Sequence, residues 1–387
     1  MVLKAILFTF LQPLLVYAVH HDPFPRCSGC LSVAQHDAPG IGFGLSPATG
    51  TVSAHLYNGT VLDIAEIATE PEYSSLMLSK ADGPYPPPLT RMERMRRNMN
   101  KRFGRPATPE VGIIARHLAQ LRRATQKRLP GQDTSFVAIS LAPILGLRLE
   151  DLEDALIHIG LESWTRSDNV EAGLYPPLLM DPYAAYAARG RGLCRHYKDL
   201  FQCWEEEKTF PEETLLTVRL ASTDLSLQIA DVRGSFDWEQ SIQGHTLDPH
   251  AGIDSLHFSE SPDDFWRYVQ EVLIDFVHKN RFSLPTSVFL LSEDSTRPEF
   301  MHALRKALTH YGDFFMADNL TVLIPGAFPI QYAVSRGAAQ YARWRREAPM
   351  GCKEDRVCGD EREKKRRGVA HEQPITEADF DDEYELK

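Results

Sequence analysis

Gly40-Ile41-Gly42-Phe43-Gly44-Leu45-Ser46-Pro47-Ala48-Thr49-Gly50-Thr51-Val52-Ser53-Ala54-His55-Leu56-Tyr57-Asn58-Gly59 is the stretch from which the fold is read. It reads as a strand, a Gly-rich turn, and a second strand that ends at the Asn58-Gly59 turn. The second half of the chain opens the same way, with strands expected over Leu215 to Leu220 and Leu225 to Ala230 around a short turn. Alternation follows in both halves. Phe136 to Ser140 reads as a buried strand, and Leu149 to Ile159 as a helix closed by Gly160. Ser261 caps a helix carrying Phe265, Val269, Val272, Leu273, Phe276 and Val277 on one face. Val288 to Leu291 and Leu320 to Ile324 read as strands, and Arg297 to Tyr311 and Ile330 to Arg346 as helices. Two α/β halves that each open strand–turn–strand predict two lobes with a ligand cleft between them.

Composition sets the outer bounds. A chain of 387 residues, 43% hydrophobic and 25% charged, buries a real core without a metal or disulfide scaffold. That excludes a disordered chain, a collagen and a multi-span membrane protein. The net charge of -11 argues against nucleic acid as the main partner. The basic segment Arg91 to Arg128 carries Arg91, Arg94, Arg96, Arg97, Lys101, Arg102 and Arg105, and reads as a solvated helical face.

The termini point to the secretory pathway. Residues 1–18 place Lys4 ahead of an apolar run ending in Val16-x-Ala18, the pattern of a signal peptide cleaved before Val19. After cleavage no stable membrane span is expected. His20-His21 belong to a polar leader at 19–38. Sequons at Asn58 and Asn319 are candidate glycosylation sites. The six cysteines fall as near neighbours, and local disulfides are expected for Cys27/Cys30, Cys194/Cys203 and Cys352/Cys358. From Gly351 the chain is mostly charged and is expected to be disordered, with Lys364-Lys365-Arg366-Arg367 inside it. The organisation is therefore a signal peptide (1–18), a leader (19–38), lobe I (39–205), lobe II (206–350) and a charged tail (351–387).

Four segments, in order, resemble the actin-like ATPase superfamily. The likeness is to its seventy-kilodalton heat-shock chaperones and, among them, a fungal group. Gly40-Ile41-Gly42-Phe43-Gly44-Leu45-Ser46 occupies the place of the family's first phosphate loop, G-I-D-L-G-T-T. Asp181-Pro182-Tyr183-Ala184-Ala185 matches E-P-T-A-A, with Gly190, Gly192, Leu193 and Cys194 beyond it. Arg219-Leu220-Ala221-Ser222-Thr223-Asp224 falls at the second phosphate loop, D-L-G-G-G-T. Ser292-Glu293-Asp294-Ser295-Thr296-Arg297-Pro298 falls at the adenosine loop, V-G-G-S-T-R-I-P, and Arg336-Gly337-Ala338-Ala339 resembles the closing A-Y-G-A-A. The resemblance covers about residues 38–346. It implies a two-lobed, actin-like (ribonuclease H-like) ATPase fold of the α/β class, in degenerate form.

The resemblance also implies ATP as ligand, with Gly42, Gly44, Ser46, Arg219, Ser222, Thr223, Asp224, Ser295 and Arg297 around it and Asp181 as the catalytic carboxylate. Phosphate loops need backbone N–H groups close to the phosphates, and hydrolysis needs a carboxylate near Mg²⁺. Here the family's first Asp is Gly42 and its second is Arg219, a charge reversal where the metal's carboxylate belongs. The second-loop glycines are Ala221 and Ser222, and the adenosine-loop glycines are Glu293 and Asp294. Mg²⁺ is thus weakly supported, and a direct pairing of Arg219 with a phosphate, in place of the metal's charge, would leave nucleotide binding without hydrolysis open. The chain ends too soon after Arg346 for a chaperone's peptide-binding domain. The expectation is a binding or interaction module, with an unidentified protein partner and no efficient hydrolysis. The alternative is an active ATPase or phosphotransferase using Ser46, Asp181, Thr223 and Asp224 in the cleft.

Overall fold

The computed structural model describes residues 26–81, 83–165, 176, 178–237, 240–311, 321–323, 328–348 and 352–372. The signal peptide, its cleavage point, His20-His21 and Asn319 lie outside the described residues. In chain order, the first half contains α1 (Val33–Asp37), β1 (Gly40–Leu45), β2 (Thr49–His55), β3 (Val61–Ala68), α2 (Pro71–Ala81), α3 (Arg91–Arg102) and α4 (Pro109–Arg128). It continues with β4 (Phe136–Leu141), α5 (Leu149–His158), β5 (Glu162–Ser163), β6 (Leu179–Met180), α6 (Asp181–Ala188) and α7 (Leu200–Glu207). The second half contains β7 (Glu213–Leu220), β8 (Leu225–Val232), β9 (Ile242–Asp248), α8 (Pro262–Lys279) and β10 (Ser287–Leu290). α9 (Pro298–Leu308), β11 (Thr321–Leu323), α10 (Ala333–Glu347) and α11 (Arg356–Glu372) complete it.

The two halves repeat one topology. The first sheet runs β3-β2-β1-β4-β5, with β6 also on β4, and the second runs β9-β8-β7-β10-β11. In each, the first three strands are an antiparallel meander and the fourth adds parallel to the first. Each meander has a register shift between its second and third strands, at Val52/Ser53 and at Ile229/Ala230. Separate cores serve the halves. One is built on Ile41, Phe43, Ile114, Leu118 and Ile139, the other on Leu216, Leu227, Phe265, Leu273 and Phe300. The strand–turn–strand openings and the Ser261-capped helix are as read from the sequence; Ser261 Oγ accepts from the Asp264 N–H. The third strands β3 and β9 are additions. β3 alternates but is half-exposed throughout, so it lacks the continuous apolar run that marks a buried strand.

One helix of each half, α6 and α10, lies between the sheets. α10, from the second half, packs on β1, and α6 packs on the second sheet through Tyr183, Ala184, Ala185 and Tyr186 against Leu215, Ala230, Val232 and Phe289. The two helices cross where Gly337 meets Ala184, and a Cβ at 337 would collide with the Ala184 carbonyl. The Ala-rich run at 183–188 serves this close crossing. The two halves therefore interlock, and α7 runs across residues 205 and 206.

Two expectations about the termini are corrected. Cys27 bonds Cys352 and Cys30 bonds Cys358, with Cα atoms 4.9 and 5.2 Å apart; Cys194–Cys203 is the local disulfide expected. Sequence proximity misled here because folding brings the two ends of the chain together. The tail is not disordered over 356–372 but forms α11, clamped onto the leader. Arg362 Nη1 donates to the Leu31 carbonyl at 3.3 Å, Glu354 accepts from the Leu31 N–H at 2.6 Å, Arg366 holds Asp37 at 2.6 Å, and the Cys27 N–H donates to the Lys353 carbonyl at 3.0 Å. Ion pairs and disulfides supply what a helix without an apolar face lacks. A loop of 325 residues makes the first closure worth about 6 kcal/mol in the chain-entropy picture. The second bridge then closes a short loop, worth about 3 kcal/mol on the same basis.

Candidate functional site

The segments that carry the resemblance come together at one place. The β1–β2 turn (Leu45 to Thr49), the β7–β8 turn (Leu220 to Ser222), the segment after β10 (Leu291 to Asp294), Gln331 in the turn before α10 and Val334 in its first turn surround a cavity of about 190 Å³. Glu66 of β3 joins the wall and Arg219 forms the floor. Turns at the ends of the two first strands converge because the repeated sheets face each other across α6 and α10.

The glycines of β1 have another task than phosphate contact. Gly40, Gly42 and Gly44 alternate and share one face of the strand. A Cβ at Gly40 would collide with backbone of Ala339 and Arg343, and one at Gly42 with backbone of Ser335 and Ala339. A Cβ at Gly44 would press on Val334 and Thr51. None of the three has positive φ, so smallness is what the positions require, not conformational freedom. They let α10 lie directly on β1. Gly42 is therefore a packing residue, and only Gly44 of the three lines the cavity.

The polar candidates are mostly committed to the protein itself. Ser46 Oγ donates to the Thr49 carbonyl at 3.0 Å and accepts from its N–H at 2.9 Å. Ser295 Oγ accepts from the Leu220 N–H at 2.9 Å and ties its loop to β7. Thr223 Oγ1 donates to Asp224 Oδ1 at 2.9 Å. Arg297 Nε donates to Asp294 Oδ1 at 2.6 Å, at the mouth rather than inside. Ser222 lines the cavity, and its carbonyl accepts from the Asp254 N–H. Gly252 seals the outer side of this turn, where a Cβ would meet backbone of Thr223 and Asp224.

Arg219 and two aspartates form the floor. Arg219 Nη1 lies 3.3 Å from Asp181 Oδ2, and Nη2 lies 3.7 Å from Asp224 Oδ2. Both acid side chains are 0% exposed and the guanidinium 8%. Asp181 starts α6 and also accepts from Ser140 Oγ at 2.9 Å and Gln228 Nε2 at 3.5 Å. Burial pushes both carboxyls above the usual carboxylate range, and the Arg219 charge pulls them back. At 3.7 Å the Asp224 contact is an ion pair without a hydrogen bond. Arg219 Nε and Nη2, Asp224 Oδ2 and Gln228 Oε1 make no hydrogen bond among the described residues. Arg219 thus pairs with two carboxylates while lining the cavity.

These residues do not fit Mg²⁺. A cation already stands between the two acids, and a metal would have to displace it. They also fit ATP poorly. Ligand pockets ordinarily measure roughly 300–1,000 Å³, and this cavity measures about 190 Å³. The mouth presents Glu66, Glu293 and Asp294 to any phosphate. Glu66 is pushed above the usual carboxylate range by burial and by the neighbouring Glu293 charge. Beside the cleft, His117 packs on Tyr73 with ring centroids 4.6 Å apart, and burial holds its imidazole down to about 4.

Sequence reasoning missed Ser140, Gln228, Glu66 and Gln331. Ser140 carried a signal, as the polar residue in an otherwise apolar strand; Gln228 did not stand out, because β8 also carries Ser226 and Asp231. Asn58 is an exposed turn residue whose Oδ1 accepts from the Thr60 N–H. Among the described residues, one group is close enough to share a metal, Cys194, Cys203 and Glu207, and its sulfurs are joined to each other. No described helix is long and apolar enough to cross a membrane. No protein-family model and no curated protein matches this chain.

Proposed function

We propose that this chain is a secretory-pathway protein of the actin-like, heat-shock-chaperone-like class whose nucleotide machinery has become an internal clamp, and that it works as a binding or interaction module without ATP hydrolysis. The carrying observation is Arg219, held between Asp181 and Asp224 in the floor of the cleft. In-line attack on a phosphoryl group needs a metal-bound carboxylate and an oriented water. Here both carboxylates face a guanidinium, and the serines of the turns bond their own loops. The duplicated sheets, the cleft between them and the meeting of the quoted segments support the family likeness. The three disulfides and the sequence signals at the N-terminus support the compartment.

The test is ATP turnover by the full chain with Mg²⁺. Phosphate release at the rate of buffer alone, unchanged in Asp181→Asn, is expected. Turnover that Asp181→Asn abolishes would replace this reading with the active ATPase.

A further inference from the structure

Helix α3 is held to the body almost entirely by charge. Arg97 reaches inward to Asp151 Oδ1 at 2.6 Å and Asp154 Oδ2 at 2.7 Å, and Lys101 adds Asp154 Oδ1 at 2.8 Å. Thr90 and Glu93 close its N-terminus as a capping box. Its outward face is another matter. Met92, Met95, Met99 and Phe103 are 75, 60, 53 and 71% exposed, at spacings that place them on one side of the helix. Arg91, Arg94 and Arg102 border a shallow groove along this stripe, and none of the three makes an ion pair among the described residues. Four large apolar side chains in one exposed row, framed by unpaired arginines, mark an interaction surface. Methionines suit a surface that must adapt to what lies on it.

The complement is in the same chain. Residues 373–387 carry Glu377, Asp379, Asp381, Asp382, Glu383 and Glu385 against the single Lys387, and Ile375, Phe380, Tyr384 and Leu386 are interleaved with them. The segment follows directly on α11, which the disulfides and Arg366 hold to the first half. Fifteen residues reach about 50 Å when extended. Tethering supplies an effective concentration of order millimolar. The net charge of -11 opposes docking of the whole molecule on an anionic membrane, whereas the acidic segment is part of that charge. We infer that the Met92–Phe103 face of α3 is the docking surface for the chain's own acidic segment 373–387, which covers it in the same molecule.

The experiment uses the full chain, with p-benzoylphenylalanine in place of Met95 and irradiation at micromolar protein. Crosslinks within one molecule to residues 373–387, lost in R94E/R102E, are expected. Cleavage after Glu377 and Glu383 by a glutamate-specific protease should quicken at least tenfold in R94E/R102E. Crosslinks elsewhere, crosslinked dimers, no crosslinks, or equal cleavage rates would overturn the inference. So would Arg94-dependent sedimentation of the full chain with phosphatidylserine vesicles, which would assign the face to lipid.

Discussion

The guanidinium of Arg219, on the second sheet, lies 3.3 Å from the carboxylate of Asp181, at the start of α6 in the first half. This contact spans the two repeats at the bottom of their cleft. Removing one member leaves a buried charge uncompensated, which typically costs about 3–5 kcal/mol. Arg219→Met is therefore expected to lower unfolding free energy by about that amount in urea titration. The triple variant D181N/R219M/D224N should recover most of the loss. A single variant as stable as the parent would show that the cluster is not a clamp.

Gly42 tests the reading of β1. Within a strand, Ala is ordinarily better than Gly by roughly 0.5–1 kcal/mol. At position 42 the added Cβ meets the Ser335 and Ala339 backbone, which cannot yield without moving α10. Gly42→Ala is expected to destabilise by at least about 1–3 kcal/mol, the range for overpacking. Thermal unfolding measures it, and an unchanged or raised Tm would return Gly42 to the role of a loop glycine.

What the sequence revealed depended on the range of the interaction. Strands around Phe43, Val52, Val218 and Leu227 were visible because apolar runs end at local turns. The Ser261 cap was visible because it involves residues three apart. The partners of Cys27 and Cys30 lie more than 300 positions away, and no spacing rule reaches that far. Arg219 illustrates the same limit within the site. Taken alone it reads as a lost metal ligand, and only the fold shows that Asp181 and Asp224 receive its charge. Gly40, Gly42 and Gly44 were seen as a pattern, but the α10 backbone they accommodate is set by tertiary packing.

The terminal disulfides give a coupled prediction. Either bridge alone still closes the long loop, so Cys27→Ser/Cys352→Ser and Cys30→Ser/Cys358→Ser should each cost about 3 kcal/mol. Removing both bridges opens the ring and should cost more than the sum of the two. Peptide mapping under non-reducing conditions should recover Cys27 linked to Cys352. A Cys27–Cys30 peptide would contradict the clamp of leader on α11.

His117 gives the molecule an acid sensitivity. Its pKa is held down to about 4 by burial, against 6.5 in the unfolded chain. A depressed group contributes stability above its unfolded pKa and loses it as pH falls toward the folded one, here from 6.5 to 4. The loss from this residue is of order 2 kcal/mol by pH 5. His117→Leu should therefore show a smaller fall in stability between pH 7.5 and pH 5 than the parent. Parallel curves for the two proteins would show that His117 is not the group that titrates.

The most direct measurement of the central claim is calorimetric titration of ATP into the full chain, with and without Mg²⁺. The clamp of Asp181, Arg219 and Asp224 predicts no binding heat in either condition at high protein and ligand concentration. Micromolar, magnesium-dependent binding would contradict it, because a metal would then occupy the place that Arg219 holds.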